Sequence, residues 1–141
     1  MSNDINDKLI DAAIQAAENA YTPYSKFNVG AALLMEDGSI LKGANVENAS
    51  YGLCNCAERT VLFYAYAQGY RKKDIKKLAV VADTPEGVSP CGACRQVMSE
   101  LLDLECPIIL SNIKKTDIKE TNIKELLCLL YTSPSPRDDI S

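Results

Sequence analysis

Three short apolar runs constrain this chain more than anything else in it. They are Val29-Gly30-Ala31-Ala32-Leu33-Leu34-Met35, Leu78-Ala79-Val80-Val81-Ala82 and Pro107-Ile108-Ile109-Leu110. Each is long enough for a buried strand and too short for a core helix. Around them the apolar spacing becomes helical. Residues 4–20 bring Ile5, Leu9, Ala13, Ala16, Ala17 and Ala20 to one face, with Asn3 or Asp4 as cap and Pro23 beyond the end. Val61, Leu62, Ala65 and Tyr66 repeat that period after Cys56, and Gly69 is placed as the C-terminal cap. Val97, Met98, Leu101 and Leu102 mark another helix, reached through Cys91 from a Pro/Gly-rich loop, Thr84 to Pro90. Asp37-Gly38 turns the first run back, so Ile40 to Val46 returns antiparallel as a hairpin. Thr116 to Lys119 reads as a polar edge strand, and Asn122-Ile123-Lys124-Glu125 as a capped start to a last short helix. Helix, hairpin, then strands alternating with helices describe a layered α/β domain with a mixed sheet. We expect one domain over 1–131, followed by a polar, proline-broken and disordered tail over 132–141.

The chain's chemistry is narrowed first by what it lacks. It contains no histidine, which removes Ser-His-Asp triads, Cys-His proteases and H-E-x-x-H metalloproteases. A net charge of −4 argues against a dedicated nucleic-acid binder, whose affinity comes from neutralising phosphates. The basic cluster Arg71, Lys72, Lys73, Lys76 and Lys77 lies just past a helix end, where cations complement the dipole and stay solvated. Met1 to Ile14 lacks the pattern of a signal peptide, and no run approaches the roughly 20 apolar residues of a membrane span. The expected location is the cytoplasm, with no membrane partner. In that reducing setting six cysteines read as metal ligands, catalytic groups or buried fillers before they read as disulfides.

Two stretches concentrate that chemistry: Asn55-Cys56-Ala57-Glu58-Arg59-Thr60 and Ser89-Pro90-Cys91-Gly92-Ala93-Cys94-Arg95-Gln96. Both fall at helix starts, where the dipole favours thiolate over thiol. Two readings stay open on spacing alone. Cys54 and Cys56 can join Cys91 and Cys94 in a closed structural zinc site, leaving Glu58 as a first-turn helix acid. Alternatively Cys56, Cys91 and Cys94 hold the metal and leave one position for water, with Glu58 as the base beside it. Three thiolates over-neutralise the ion, so something cationic should offset them. Arg59 and the two helix N-termini are the candidates.

At these residues the chain resembles the zinc-dependent cytidine deaminases of the small free-nucleoside type. The resemblance extends over most of residues 5–127. It includes Tyr21-Thr22-Pro23-Tyr24-Ser25-Lys26-Phe27, Val29-Gly30-Ala31-Ala32, Asn45-Val46-Glu47-Asn48-Ala49, and both cysteine stretches. It implies a three-layer α/β/α fold with a mixed sheet of about five strands. It also implies one Zn²⁺ per subunit on Cys56, Cys91 and Cys94, with Cys54 unligated. Glu58 would carry a proton from the attacking water to N3 and then to the amino group of cytidine or deoxycytidine, and ammonia would leave. By the same likeness Asn45 and Glu47 would hold the ribose 3′-hydroxyl, Phe27 would pack on the nucleoside, the Ala57 backbone would hold the pyrimidine edge, and Arg59 would hydrogen-bond the ligand sulfurs. Small members of the family resemble one another in forming homotetramers, in which Ala49 and Tyr51 would reach into a neighbour's site. Tyr131 falls where the family usually carries a phenylalanine lid, by an unusual approach, Cys128-Leu129-Leu130. The alternatives are a non-catalytic zinc-stabilised interaction module and a deaminase acting on a related aminopyrimidine or on polynucleotides.

Overall fold

The structure, a computed structural model, describes residues 2–24, 26–47, 56–83 and 92–126, with the side chains of 2–4 and 92–95 left undescribed. Its elements are α1 (Ser2–Ala17), β1 (Val29–Met35), β2 (Ile40–Ala44), α2 (Ala57–Ala67), β3 (Ile75–Ala82), α3 (Gly92–Leu101), β4 (Ile108–Asn112) and β5 (Ile118–Thr121). The five strands form one sheet in the order β2-β1-β3-β4-β5. β1 is antiparallel to both β2 and β3, β3 is parallel to β4, and β4 is antiparallel to β5. The sheet is therefore mixed.

Alternate strand residues feed two cores, as the pleat requires. On one face Ala31, Leu33, Leu78, Val80, Ile108 and Leu110 pack with Val61, Leu62 and Ala65 of α2 and Met98 of α3. On the other, Ala32, Ala79, Val81 and Ile109 pack with Leu9, Ile10 and Ala13 of α1. Helices thus cover both faces, and the three-layer α/β/α expectation holds.

Two glycines set the spacing between layers. A Cβ on Gly30 would stand 1.9 Å from the Ala13 carbonyl oxygen, so α1 lies directly on β1. A Cβ on Gly43 would stand 2.7 Å from the Val61 nitrogen, so α2 lies directly on β2.

Several element ends differ from expectation. Asn3 and Asp4 lie inside α1 rather than capping it, and the helix ends at Ala17 instead of reaching Ala20. There the N–H groups of Glu18, Asn19 and Ala20 turn to carbonyls three residues back. β2 ends at Ala44 because the chain leaves the hairpin at Asn45, and Val46 bridges in parallel to Tyr21 instead. β3 begins at Ile75, so Lys76 and Lys77 belong to a strand and not to a helix end. Arg71 caps a short 3₁₀ turn, Lys72–Asp74, beyond the end of α2 and donates to the Tyr66 and Tyr70 carbonyls at 3.1 and 2.7 Å, while Lys77 reaches Asn6 Oδ1 at 2.7 Å. The basic cluster is thus divided between two elements. β5 starts at Ile118 because Asn112 Oδ1 accepts the Thr116 and Asp117 N–H groups and holds them in a turn. Gly69, with φ +97°, follows the Gln68 cap of α2 as expected. Asn122 Oδ1 accepts the Glu125 N–H at 2.8 Å, while the Glu125 carboxylate turns to the Thr121 hydroxyl.

Candidate active site

The topology brings the two cysteine-bearing helices to one edge. β2 and β3 both oppose β1 and so run parallel to each other; β3 also runs parallel to β4. α2 joins β2 to β3 and α3 joins β3 to β4, both on the same sheet face. Each must therefore start at the edge where β2 and β3 end. The positive ends of two helix dipoles meet there, as they do beside ligand crevices of open α/β sheets generally.

Cys56 occupies the N-cap position of α2, in extended conformation (φ −78°, ψ 162°), and its side chain makes no capping hydrogen bond. A cap serine or asparagine would turn its oxygen back onto the helix. The Cys56 sulfur accepts instead from Arg59 Nε at 3.3 Å and is paired in a disulfide, where the sequence led us to expect a metal-ligating thiolate. The cap carbonyl is held by both the backbone N–H and the hydroxyl of Thr60, each at 2.9 Å. Once reduced to a thiolate, a cysteine at a helix start with a guanidinium donating to its sulfur suits a soft divalent ion, and the guanidinium moderates its charge. These donors fit zinc.

Glu58 follows within the first turn and is only 4% exposed. Burial pushes its carboxyl above the ordinary value, against a smaller lowering by its own backbone N–H and by the Arg59 charge. None of the ion pairs or side-chain hydrogen bonds among the described residues satisfies it. A buried carboxylate left without a side-chain partner is costly to a fold, and a proton-carrying role is the chemistry such a group suits. Ala57, between Cys56 and Glu58, is fully buried.

A second layer of the site is built by residues 21–29 and 45–47. Asn45 Oδ1 accepts the Val29 N–H and its Nδ2 donates to the Phe27 carbonyl, both at 2.9 Å. These partners fix the amide's orientation and leave one Nδ2 hydrogen. Glu47 Oε1 accepts the Tyr24 N–H at 3.1 Å, and the Glu47 N–H donates to the Tyr21 carbonyl at 2.8 Å. Phe27 is half-buried against the same core that Cys56 packs on. Phe27, Asn45 and Glu47 are therefore linked through one short network, while Cys56, Ala57, Glu58 and Arg59 share the start of α2.

Cys91, Ala49, Tyr51, Cys54, Tyr131 and the segment 132–141 lie outside the described residues. Cys94 is described only as a backbone position in the first turn of α3. Among the described residues, no three Cys, Asp or Glu side chains form a metal-holding group. Sequence reasoning missed the clamping role of the Asn45 amide and the packing role of Gly43. An interior strand glycine does signal close backbone approach, whereas nothing in sequence distinguishes a clamping asparagine from one in a loop.

The family model described as the cytidine and deoxycytidylate deaminase zinc-binding region matches residues 3–109. The chain is 56% identical over 130 residues to a cytidine deaminase of Halalkalibacterium halodurans, covering 92% of this chain and 96% of that one. It is 54% identical over 121 residues to a cytidine deaminase of Sporosarcina psychrophila, covering 86% and 87%. Among solved structures, the cytidine deaminase of Burkholderia pseudomallei superposes with a TM-score of 0.82 at 52% identity, covering 85% of this chain and 94% of that one. That of Mycobacterium leprae gives 0.71 at 38% identity, covering 86% and 95%.

Proposed function

The chain belongs to the zinc-binding cytidine deaminase family, and on that premise we propose how its residues divide the hydrolysis of cytidine to uridine and ammonia. Cys56, Cys91 and Cys94 would hold the family's zinc, which when bound makes water nucleophilic near neutral pH. Arg59 donates to the Cys56 thiolate and offsets the excess charge of an all-sulfur ligand set. Glu58 takes one proton from the attacking water and delivers it to ring N3, then takes the second from the new C4 hydroxyl and passes it to the departing amino group. The oxygen–C4 bond forms, the C4–N4 bond breaks, and the products are uridine and ammonia. A carboxyl whose pKa burial has raised is suited to holding that proton between steps. The observation that carries this reading is Glu58 itself, buried without a side-chain partner among the described residues, two residues from a cap cysteine whose side chain does not cap.

Phe27 packs on the nucleoside, the Ala57 backbone holds the pyrimidine edge, and Asn45 with Glu47 holds the ribose 3′-hydroxyl. Asn45 has a hydrogen to give and Glu47 has oxygens to accept, so the pair suits a hydroxyl, which both accepts and donates. Deoxycytidine carries the same hydroxyl and is accepted too. We further propose a cytoplasmic homotetramer in which Ala49, Tyr51 and Tyr131 reach a neighbouring site. The outward Phe63 and Tyr64 of α2 offer apolar surface for such assembly. Neither nucleic acid nor membrane enters as a partner; no helix among the described residues is long and apolar enough to cross a bilayer.

Glu58→Gln tests the assignment. It should keep its zinc and its fold and lose cytidine turnover by about 10²–10⁴-fold. Turnover near that of the unmodified enzyme would remove Glu58 from the chemistry.

A further inference from the structure

We propose that Asn28 is a positioning residue for nucleoside binding, acting as the bolt that holds the Phe27 segment and, through Thr22 and Tyr24, Glu47's partner in place. The proposal rests on the assignment of Phe27 and Glu47 to the substrate.

Asn28 is joined to three separate segments. Its Nδ2 donates at 3.1 Å to the carbonyl of Ala17, the last residue of α1, which also accepts the Ala20 N–H at 3.2 Å. Its Oδ1 accepts the Thr22 hydroxyl at 2.5 Å. Its backbone carbonyl accepts the Asp83 N–H at 3.1 Å, just past the end of β3. A carbonyl on one side and a hydroxyl on the other fix which way the amide points. An aspartate there could keep only the Thr22 bond, and would set a carboxylate against the Ala17 carbonyl.

What these bonds hold is a turn that does not hold itself well. The Lys26 N–H returns to the Thr22 carbonyl at 3.0 Å, and Lys26 takes a φ of +58°, a region that L-residues other than glycine seldom occupy. The turn stands out from the sheet, with Tyr24 61% exposed. Its tip is tied to Glu47 through the Tyr24 N–H, and its last residue is Phe27. Thr22 is the foot of the turn and Asn28 the fixed point beside Phe27. Asn45 holds the Phe27 backbone from the hairpin side, and Asn28 holds it from the α1 side. Released from α1, the segment keeps its backbone bonds to Asp83 and to the hairpin but loses the side-chain tie that fixes the turn, so Phe27 and the Tyr24 N–H that Glu47 accepts are held less closely. Neither bond touches α2, so the metal and Glu58 are unaffected. The effect should therefore fall on KM and not on kcat.

The experiment measures KM, kcat, zinc per chain, zinc release to a chelator and thermal midpoint for Asn28→Asp, Thr22→Val, Thr22→Ser and Phe27→Ala. Asn28→Asp and Thr22→Val should each raise KM by about 3- to 10-fold, the scale of one lost part-buried hydrogen bond, with kcat within about twofold. Zinc release should be unchanged. Thr22→Ser, which keeps the hydroxyl, should restore the original KM. Phe27→Ala separates the two claims: if it leaves KM unaltered, the substrate assignment fails. If it raises KM while Asn28→Asp and Thr22→Val do not, the positioning role fails. Loss of kcat and zinc in step with a lowered midpoint would also overturn the proposal, since it would make Asn28 a stabilising residue alone. Should Asn28→Asp not fold, the Thr22 pair carries the same decision.

Discussion

Gly43→Ala is the substitution by which the packing of the fold reaches the chemistry most directly. An added Cβ would lie 2.7 Å from the Val61 nitrogen, 2.9 Å from its Cβ and 3.0 Å from its Cα. All three atoms are fixed by the α2 backbone, so no rotamer change relieves the contact. α2 must move off β2 by about 0.7 Å to reach an ordinary separation, because a close-packed interior has no slack to offer. Val61 is less than one turn from Glu58, so that movement carries Glu58 and the Cys56 cap with it, away from α3 and the substrate segment. A misplacement of about 1 Å can cost about 10²-fold in rate. We therefore expect kcat/KM for cytidine, followed by its loss of ultraviolet absorbance, to fall by about 30- to 100-fold. The variant should fold, with stability lowered by about 1–3 kcal/mol, the usual cost of overpacking. Gly38→Ala is the control. Its Cβ would meet nothing within 4 Å, yet its φ of +89° makes alanine strained, so it should lose about 1 kcal/mol of stability and no turnover. A folded, zinc-loaded Gly43→Ala enzyme within about twofold of the original kcat/KM would refute the claim that β2 sets the position of α2.

Three other outcomes follow from the same geometry. Arg59→Gln removes the donor to Cys56 and should lower kcat by about tenfold while zinc stays bound, measured by turnover and metal content. If Asn45 and Glu47 hold the ribose as proposed, 3′-deoxycytidine should show a KM raised by about tenfold. Cys106 is buried, and burial together with the Asp103 charge pushes its thiol up to about 11. A thiol reagent at pH 8 should miss Cys106 in the native protein and count it only after unfolding, since thiolate is the reacting form.

The strands were legible because apolar runs bounded by turn residues have few other solutions; β1 and the Asp37-Gly38 turn fall where the sequence places them. Element ends were less legible, because side-chain bonds from distant segments decide them. Asn112 delays β5 by claiming two backbone N–H groups, and Lys77 enters β3 with its ammonium satisfied by Asn6 of α1. The placement of Cys56, Glu58 and Arg59 at the start of α2 was readable from sequence, and the Arg59–Cys56 contact that the resemblance implies is present. The roles of Gly43, Asn28 and the Asn45 amide depend on what lies across the fold from them, which local sequence does not encode.

The central claim is that Cys56, Cys91 and Cys94 leave the metal one corner for water beside Glu58. X-ray absorption at the zinc edge of the reduced, as-purified enzyme addresses it directly. The account predicts three sulfur neighbours at about 2.3 Å and one lighter atom near 2.0 Å. Four sulfurs and no lighter atom would contradict it and return the site to a structural staple.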